Sequence, residues 1–214
     1  MKVLGISGSP IKNSNTDRAL KIVLESTGMK SEFVKLSDYT LEPCDACLAC
    51  IKTNKCIKKD AGVMLAEKTY KADALIIAGF TPYSSLDSRT KAYMERLYPL
   101  RHRHGLMAGK PGGAIITSAL SHGQEERSPA AEIGIQAIKD FMMEEGMKFI
   151  GGVSLLGNVP CVRCGQDGQC QMSSLKMIHG QDASPESVGI NDFENDPKKV
   201  AELQQLGEAI RNSL

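Results

Sequence analysis

"KVLGISGSPIKNSNTDRALKIVL", residues Lys2 to Leu24, changes rhythm twice. Lys2–Ser7 (KVLGIS) is a short apolar run that Gly8-Ser9-Pro10 breaks. From Thr16 the apolar residues fall at helical spacing, with Ala19, Leu20, Val23 and Leu24 on one face and Asn15 or Thr16 as N-cap. The stretch therefore reads strand, loop, helix, the opening unit of an alternating α/β chain.

The same alternation runs through the rest of the sequence. Ser31–Leu36 alternates like a second strand, and Ala61–Tyr70 reads as a helix. Ala74–Phe80 (ALIIAGF) is a continuous apolar run of the kind buried on both faces, followed by a helix from Ser88 to Leu97. Gly113–Thr117 is a fourth strand, Pro129–Glu145 a long amphipathic helix, Lys148–Leu156 a fifth strand, and Pro197–Asn212 a closing helix. Strands alternating with helices predict a parallel sheet covered on both faces. Right-handed crossovers make a doubly wound five-stranded sheet the simplest topology. Ligands of such sheets bind beyond the carboxyl ends of the strands, so the loops after strands one, three and four are the ones to inspect. Two cysteine-bearing stretches, Pro43–Cys56 and Pro160–Cys170, interrupt the scheme.

Composition narrows the function classes. The 214 residues suit one domain with a modest extension, and 42% apolar residues supply a sizeable core. With 26 basic and 25 acidic residues, no nucleic-acid or anionic-membrane partner is expected. No apolar run approaches the ~20 residues of a membrane span, and MKVLGISGSP reads as a strand, not a signal peptide. The cytoplasm is the expected location. Thiols stay reduced there, so clustered cysteines read as metal-binding or catalytic first. An odd count of seven cysteines points away from disulfides too. Ten scattered methionines read as core filler, and RHRHG (Arg101–Gly105) as a solvated basic patch, with docking of NADPH phosphate or an acidic donor as the sharper alternative.

The loop from Ser7 to Thr16 is dense in hydroxyls, amides and small residues. Backbone N–H groups and a helix N-terminus there can wrap an anion. It lacks both the Lys-Ser/Thr of an NTPase P-loop and the spaced glycines of a dinucleotide fingerprint, which favours a mononucleotide phosphate.

At these residues the sequence resembles the flavodoxin-like NADPH-dependent FMN reductases. "GSPIKNSNT" is similar to their phosphate loop, usually GSPRxxxNT. "TPYSSLDSRTKAYMERL" (Thr81–Leu97) resembles their flavin-edge loop, here one residue shorter, with Pro82 and Tyr83 adjacent. "SHGQEE" (Ser121–Glu126) carries the Gly-Gln-Glu of the third flavin loop. The resemblance covers residues 1–155 and leaves 156–214 as a C-terminal extension. It implies bound FMN. Ser7, Ser9, Asn15 and Thr16 would hold the phosphate, with Pro10 and Asn13 in the same loop. Pro82, Tyr83 and Ser84 would line the isoalloxazine, and Ser118, Gly123 and Gln124 would close the third side. His122 is expected to be an exposed histidine, not a catalytic one.

The first cysteine run, PCDACLACIKTNKC, reads C-x2-C-x2-C-x5-C at Cys44, Cys47, Cys50 and Cys56. Three thiols at i, i+3 and i+6 on a tight loop can converge on one small object, and a fourth closes the cage, as in cubane ligation. Structural zinc more often uses two separated CxxC pairs, and a redox pair needs only one, so these readings and a disulfide rank behind. Run and loops together resemble the iron–sulfur flavoproteins of anaerobes, which carry C-x2-C-x2-C-x(4–7)-C after the second strand. That resemblance implies a 4Fe–4S cluster at positions 43–56 and a homo-oligomer, dimer or tetramer, in which the cluster of one subunit faces the FMN of another.

The second run, PCVRCGQDGQC, places Cys161, Cys164 and Cys170 at the spacing of the last three cysteines of the first. A second cluster with a non-Cys fourth ligand (Asp167, His179, solvent or another chain), a Cys3His zinc site using His179, and free or redox-active thiols all remain open. The sequence thus predicts an FMN and iron–sulfur electron-transfer flavoprotein or reductase, passing electrons from a donor such as ferredoxin to a small acceptor. The alternatives are an NAD(P)H-dependent flavin or quinone reductase with structural zinc, and a redox- or metal-sensing binding module.

Overall fold

The computed structural model describes residues 1–120, 129–166 and 169–214. Five parallel strands, β1 (Lys2–Ser7), β2 (Lys30–Lys35), β3 (Ala74–Phe80), β4 (Pro111–Ser118) and β5 (Lys148–Leu156), form one sheet in the order β2-β1-β3-β4-β5. The long helices between and after them are α1 (Asn15–Ser26), α2 (Ala61–Lys71), α3 (Ser88–Glu95) and, beyond a single turn α4 (Tyr98–Arg101), α5 (Ala130–Glu144). Short helices α6 (Ser174–His179) and α7 (Pro185–Val188) precede the closing α8 (Pro197–Asn212).

Period-two alternation along the strands splits the core into two layers. Leu4, Ile6, Leu75 and Ile77 face Leu65, Tyr93, Ile138 and Met142 of α2, α3 and α5. Val3, Ile76 and Ala78 face Leu20 and Val23 of α1 and Leu203, Leu206 and Ile210 of α8. Each fully buried Leu, Ile or Met side chain contributes ~1.5–3 kcal/mol, so both faces must be covered for the sheet to persist. α8 lies close on α1: a Cβ on Gly207 would fall 2.5 Å from the Val23 carbonyl oxygen, and only glycine permits that approach. The closing helix thus shares the core of the residues before it.

The strand–helix alternation is as the sequence predicts, and the bounds of β3, β5 and α8 coincide with those read from it. Several bounds differ by a residue or two, and four differences have a physical reason. Ser14, not Asn15 or Thr16, caps α1: its hydroxyl accepts the Asp17 N–H while Asp17 Oδ2 accepts the Ser14 N–H, a reciprocal capping box. β2 ends at Lys35 because Leu36 opens a 3-10 turn. β4 starts at Pro111, earlier than expected, since Pro-Gly-Gly has low strand propensity and pairing with β3 and β5 overrides it. The helix expected to reach Leu97 stops at Glu95, with Arg96 as its cap and Pro99 in the next turn, where its missing N–H is no loss. No helix among the described residues is long and apolar enough to cross a membrane.

Candidate functional site

The loops after β1, β3 and β4 meet in one cleft of about 270 Å³. Ser9, Pro10, Asn13, Asn15 and Thr16 line it from the first loop, Pro82 from the second and Ser118 from the third. The stretch after β5 adds Gly157, Asn158, Val159, Pro160, Val162 and Arg163.

The first loop is held by one carboxylate. Asp17 accepts the Ser7 hydroxyl at 2.6 Å, Lys35 Nζ at 2.6 Å and the Ser14 N–H at 3.3 Å. Ser7 is wholly buried in this task and does not line the cleft. With Asp17 committed, the loop turns hydroxyls and amides toward the cleft rather than negative charge. Helix geometry leaves the N–H groups of Asn15 and Thr16 without intrahelical acceptors, at the positive end of α1. Thr16 Oγ1 meets Thr117 Oγ1 at 2.9 Å, tying the loop to β4. At the second loop, buried Asp87 accepts the N–H of Phe80 at 3.3 Å and both N–H and hydroxyl of Thr90. Beside it Thr81 Oγ1 is buried in the cleft wall with no hydrogen-bond partner among the described residues.

Tyr83 and Ser84 do not line this cleft. Both take left-handed backbone, with φ of 50° and 58°, and Tyr83 is fully exposed. Gly123, Gln124 and His122 lie outside the described residues. Sequence reasoning also missed a clamp on the first loop. Arg18 donates to Asn13 O at 2.8 Å, Asn15 Oδ1 at 2.6 Å and Asp192 Oδ1 at 2.6 Å, and its Nε reaches Glu194. Asn15 Nδ2 donates to Asn191 O at 2.9 Å, and Asn191 exchanges hydrogen bonds with Asn158. These partners stand up to 176 positions apart, so no local pattern announces them. A cleft with a helix N-terminus at one end and Pro82, Val159, Pro160 and Val162 along a wall fits a planar ligand carrying a phosphate. The orphaned Thr81 hydroxyl offers that ligand a further polar contact.

The four cysteines of the first run line a second pocket, with Lys58, Arg96, Tyr98 and Pro99. Cys50 is buried, Cys44 and Cys56 are half-buried and Cys47 is exposed. Burial pushes the Cys50 thiol up, and the charges of Cys56, Cys44 and Cys47 push it further. Ala46, Leu48 and Asn54 take positive φ (51°, 60° and 54°), the cost of a chain wound this tightly. Asn54 pins the loop by donating to the carbonyls of Pro99 and His102, at 2.7 and 2.6 Å. Lys58 Nζ does the same to Pro43 O at 2.9 Å and Asp45 Oδ1 at 2.7 Å.

The deepest anchor is Arg96, 2% exposed. It meets Asp60 through both Nη atoms, at 2.6 and 2.7 Å, donates to Glu42 O at 2.9 Å and reaches Cys56 Sγ at 3.4 Å. The guanidinium holds the Asp60 carboxyl down at about 2. Asp60 also caps α2 by accepting the Gly62 N–H at 3.0 Å. Among the described residues no three His, Cys, Asp or Glu side chains stand close enough to hold one metal ion. The donor set nevertheless fits a sulfur-ligated group: four thiols of one loop border one pocket, and a buried cation reaches one of the sulfurs.

The second run begins in a 3-10 turn, Pro160–Arg163, which contributes its flanking residues to the cleft. Cys161 is half-buried. Burial pushes its thiol up, but the N–H groups of Ser174 and Leu175 and the neighbouring hydroxyls outweigh this and hold it below the ordinary range. Cys164 is exposed and Cys170 half-buried. His179 borders a different pocket, with Asp182 and Ser187 and without a cysteine. Asp167 lies outside the described residues. In the RHRHG stretch Arg101 pairs with Glu144 at 3.0 Å, and His102 packs edge-on against Tyr98.

A doubly wound sheet with a loop able to receive an anion at the switch point of its strands, and a four-thiol loop in the same chain, defines a flavin-dependent redox protein of flavodoxin-like fold. The chain belongs to the NADPH-dependent FMN reductase family, whose model matches residues 1–146, and within it to the iron–sulfur flavoproteins. It is 30% identical over 210 residues to an iron–sulfur flavoprotein of Methanocaldococcus jannaschii, covering 96% of this chain and 98% of the relative. It is 30% identical over 162 residues to the iron–sulfur flavoprotein of Methanosarcina thermophila, covering 74% and 82%. A flavodoxin from the domain Archaea superposes with a TM-score of 0.53 over 99% of this chain and 97% of that one, at 15% identity, a likeness of fold alone.

Proposed function

We propose that the chain holds FMN in the cleft at the strand ends and a 4Fe–4S cluster on Cys44, Cys47, Cys50 and Cys56. It would serve as an electron-transfer flavoprotein or reductase between a one-electron donor such as ferredoxin and a small acceptor. The observation that carries this reading is the pairing, in one chain, of the cleft with a four-cysteine pocket. Flavin exchanges electrons singly or in pairs and an iron–sulfur cluster singly, so together they convert one kind of traffic into the other.

The chain's own residues set the terms. Asn15 and Thr16 offer N–H groups and Thr16 a hydroxyl to the phosphate, and Ser9, Pro10 and Asn13 shape the turn around it. Pro82 and the Val159–Val162 stretch exclude water from the ring, and Ser118 stands at the third side. Cys161, Cys164 and Cys170 belong to a second cluster or a zinc site whose fourth ligand is not a cysteine of that run.

The two pockets share no lining residue. Around the first cysteine run Leu48, Ile51, Ile57 and Tyr98 are exposed, as Tyr83 is near the cleft. Exposed apolar side chains beside both sites support a homo-oligomer, dimer or tetramer, in which the cluster of one subunit serves the flavin of the next. The test is anaerobic rapid mixing of the oxidised protein with reduced ferredoxin or with NADPH. The proposal expects ferredoxin to bleach the cluster absorbance first and the flavin after it. Flavin reduction by NADPH with the cluster silent would overturn the electron route.

A further inference from the structure

The cysteine pocket contains a charged group besides its four thiols. Arg96 is almost wholly buried, and its two Nη atoms are fully engaged by Asp60, the Glu42 carbonyl and Cys56 Sγ. Its Nε–H is buried with no acceptor among the described residues. A guanidinium presents five donors in a rigid fork, and leaving one of them unpaired in the interior carries a desolvation cost. The guanidinium borders the pocket that the four cysteines line. Gly62 makes room for it, since a Cβ there would lie 2.5 Å from Nη2.

We infer that Arg96 is a positioning residue for the sulfur-ligated group: it ties the cysteine loop to α2 through Asp60 and presents a buried positive charge to the sulfur of Cys56. The inference rests on the iron–sulfur reading of the first run. Reduction adds one negative charge to a thiolate-ligated group, and hydrogen bonds to the sulfurs and nearby charge set the potential at which this happens. The hydrogen bond to Cys56 Sγ is made by the cation, while the carboxylate of Asp60 contacts the cation. Arg96 therefore favours the reduced state and Asp60 moderates it. Arg96 and Asp60 should thus act on the potential in opposite directions, which a purely structural brace would not do.

Two variants separate these effects. Asp60→Asn keeps the outline and, with its oxygen on the Gly62 N–H, the cap of α2; its amide nitrogen replaces the oxygen that accepts Arg96 Nη1 and the Glu42 N–H, which leaves the Arg96 charge uncompensated. Asp60→Asn combined with Arg96→Gln removes both charges, so that no lone buried charge is left to unfold the chain. Iron, acid-labile sulfide, FMN and the cluster midpoint are measured on the anaerobically purified full chain. Asp60→Asn is expected to raise the midpoint and the double variant to lower it below that of the unaltered protein. Loss of iron from the double variant with FMN and Tm retained would also support positioning. Unshifted midpoints, or a shift of the same sign in both variants, would overturn the inference while leaving the cluster in place. Absence of iron and sulfide from the unaltered protein would instead overturn the reading beneath it.

Discussion

Glu145→Gln should stabilise the protein at pH 8 and leave it unchanged near pH 4. Glu145 follows the last residue of α5, is 5% exposed, and its Oε2 has no hydrogen-bond partner among the described residues. Burial pushes the carboxyl up to about 7 from an ordinary 4.5, against the attraction of Arg101 and with the repulsion of Glu144. A carboxyl raised by folding is protonated in the native state where the unfolded chain has already lost its proton. Its contribution is therefore complete below pH 4.5 and is lost as pH rises toward 7. At about 1.4 kcal/mol per pH unit this amounts to about 3 kcal/mol, or roughly 10 °C of Tm for a chain of this size. Glutamine has the same shape and no proton to lose, so the Tm gap between variant and unaltered protein should open from nothing near pH 4.5 to roughly 10 °C at pH 8. Parallel Tm curves for the two proteins would refute the reasoning. They would mean that the carboxylate finds a partner or water when it ionises.

The other perturbations address the two pockets separately. Thr16→Val leaves Thr117 Oγ1 without its 2.9 Å partner, which should cost about 1–3 kcal/mol and weaken FMN binding with iron content unchanged; flavin fluorescence titration of the flavin-stripped protein measures it. Gly62→Ala drives a methyl group toward the pinned guanidinium of Arg96, which should cost about 1–3 kcal/mol and lower iron per chain while FMN stays stoichiometric.

The sheet was legible because its strands are buried on both faces. ALIIAGF admits little besides an interior strand once turn formers bound it, and the closing helix shows its apolar stripe at Leu203, Leu206 and Ile210. The α1 cap was harder, since Ser14, Asn15 and Thr16 can all cap and only the reciprocal bond with Asp17 decides among them. The pockets were half legible. Cysteine spacing is a local signal, and so is a loop crowded with hydroxyls. Arg96 with Asp60, 36 positions apart, and Arg18 with Asp192, 174 apart, are long-range pairs that ordinary Arg and Asp residues do not advertise. Tyr83 shows the converse: an aromatic beside Pro82 suggests a ligand wall, and its left-handed backbone and full exposure outside the cleft lining are features that sequence spacing does not announce.

Iron, acid-labile sulfide and FMN per chain after anaerobic purification test the central claim most directly. The account predicts one FMN with about four iron and about four sulfide per chain, or about eight of each if the second cysteine run also holds a cluster. Stoichiometric zinc with no sulfide would contradict it and leave a flavin reductase whose cysteine runs are structural.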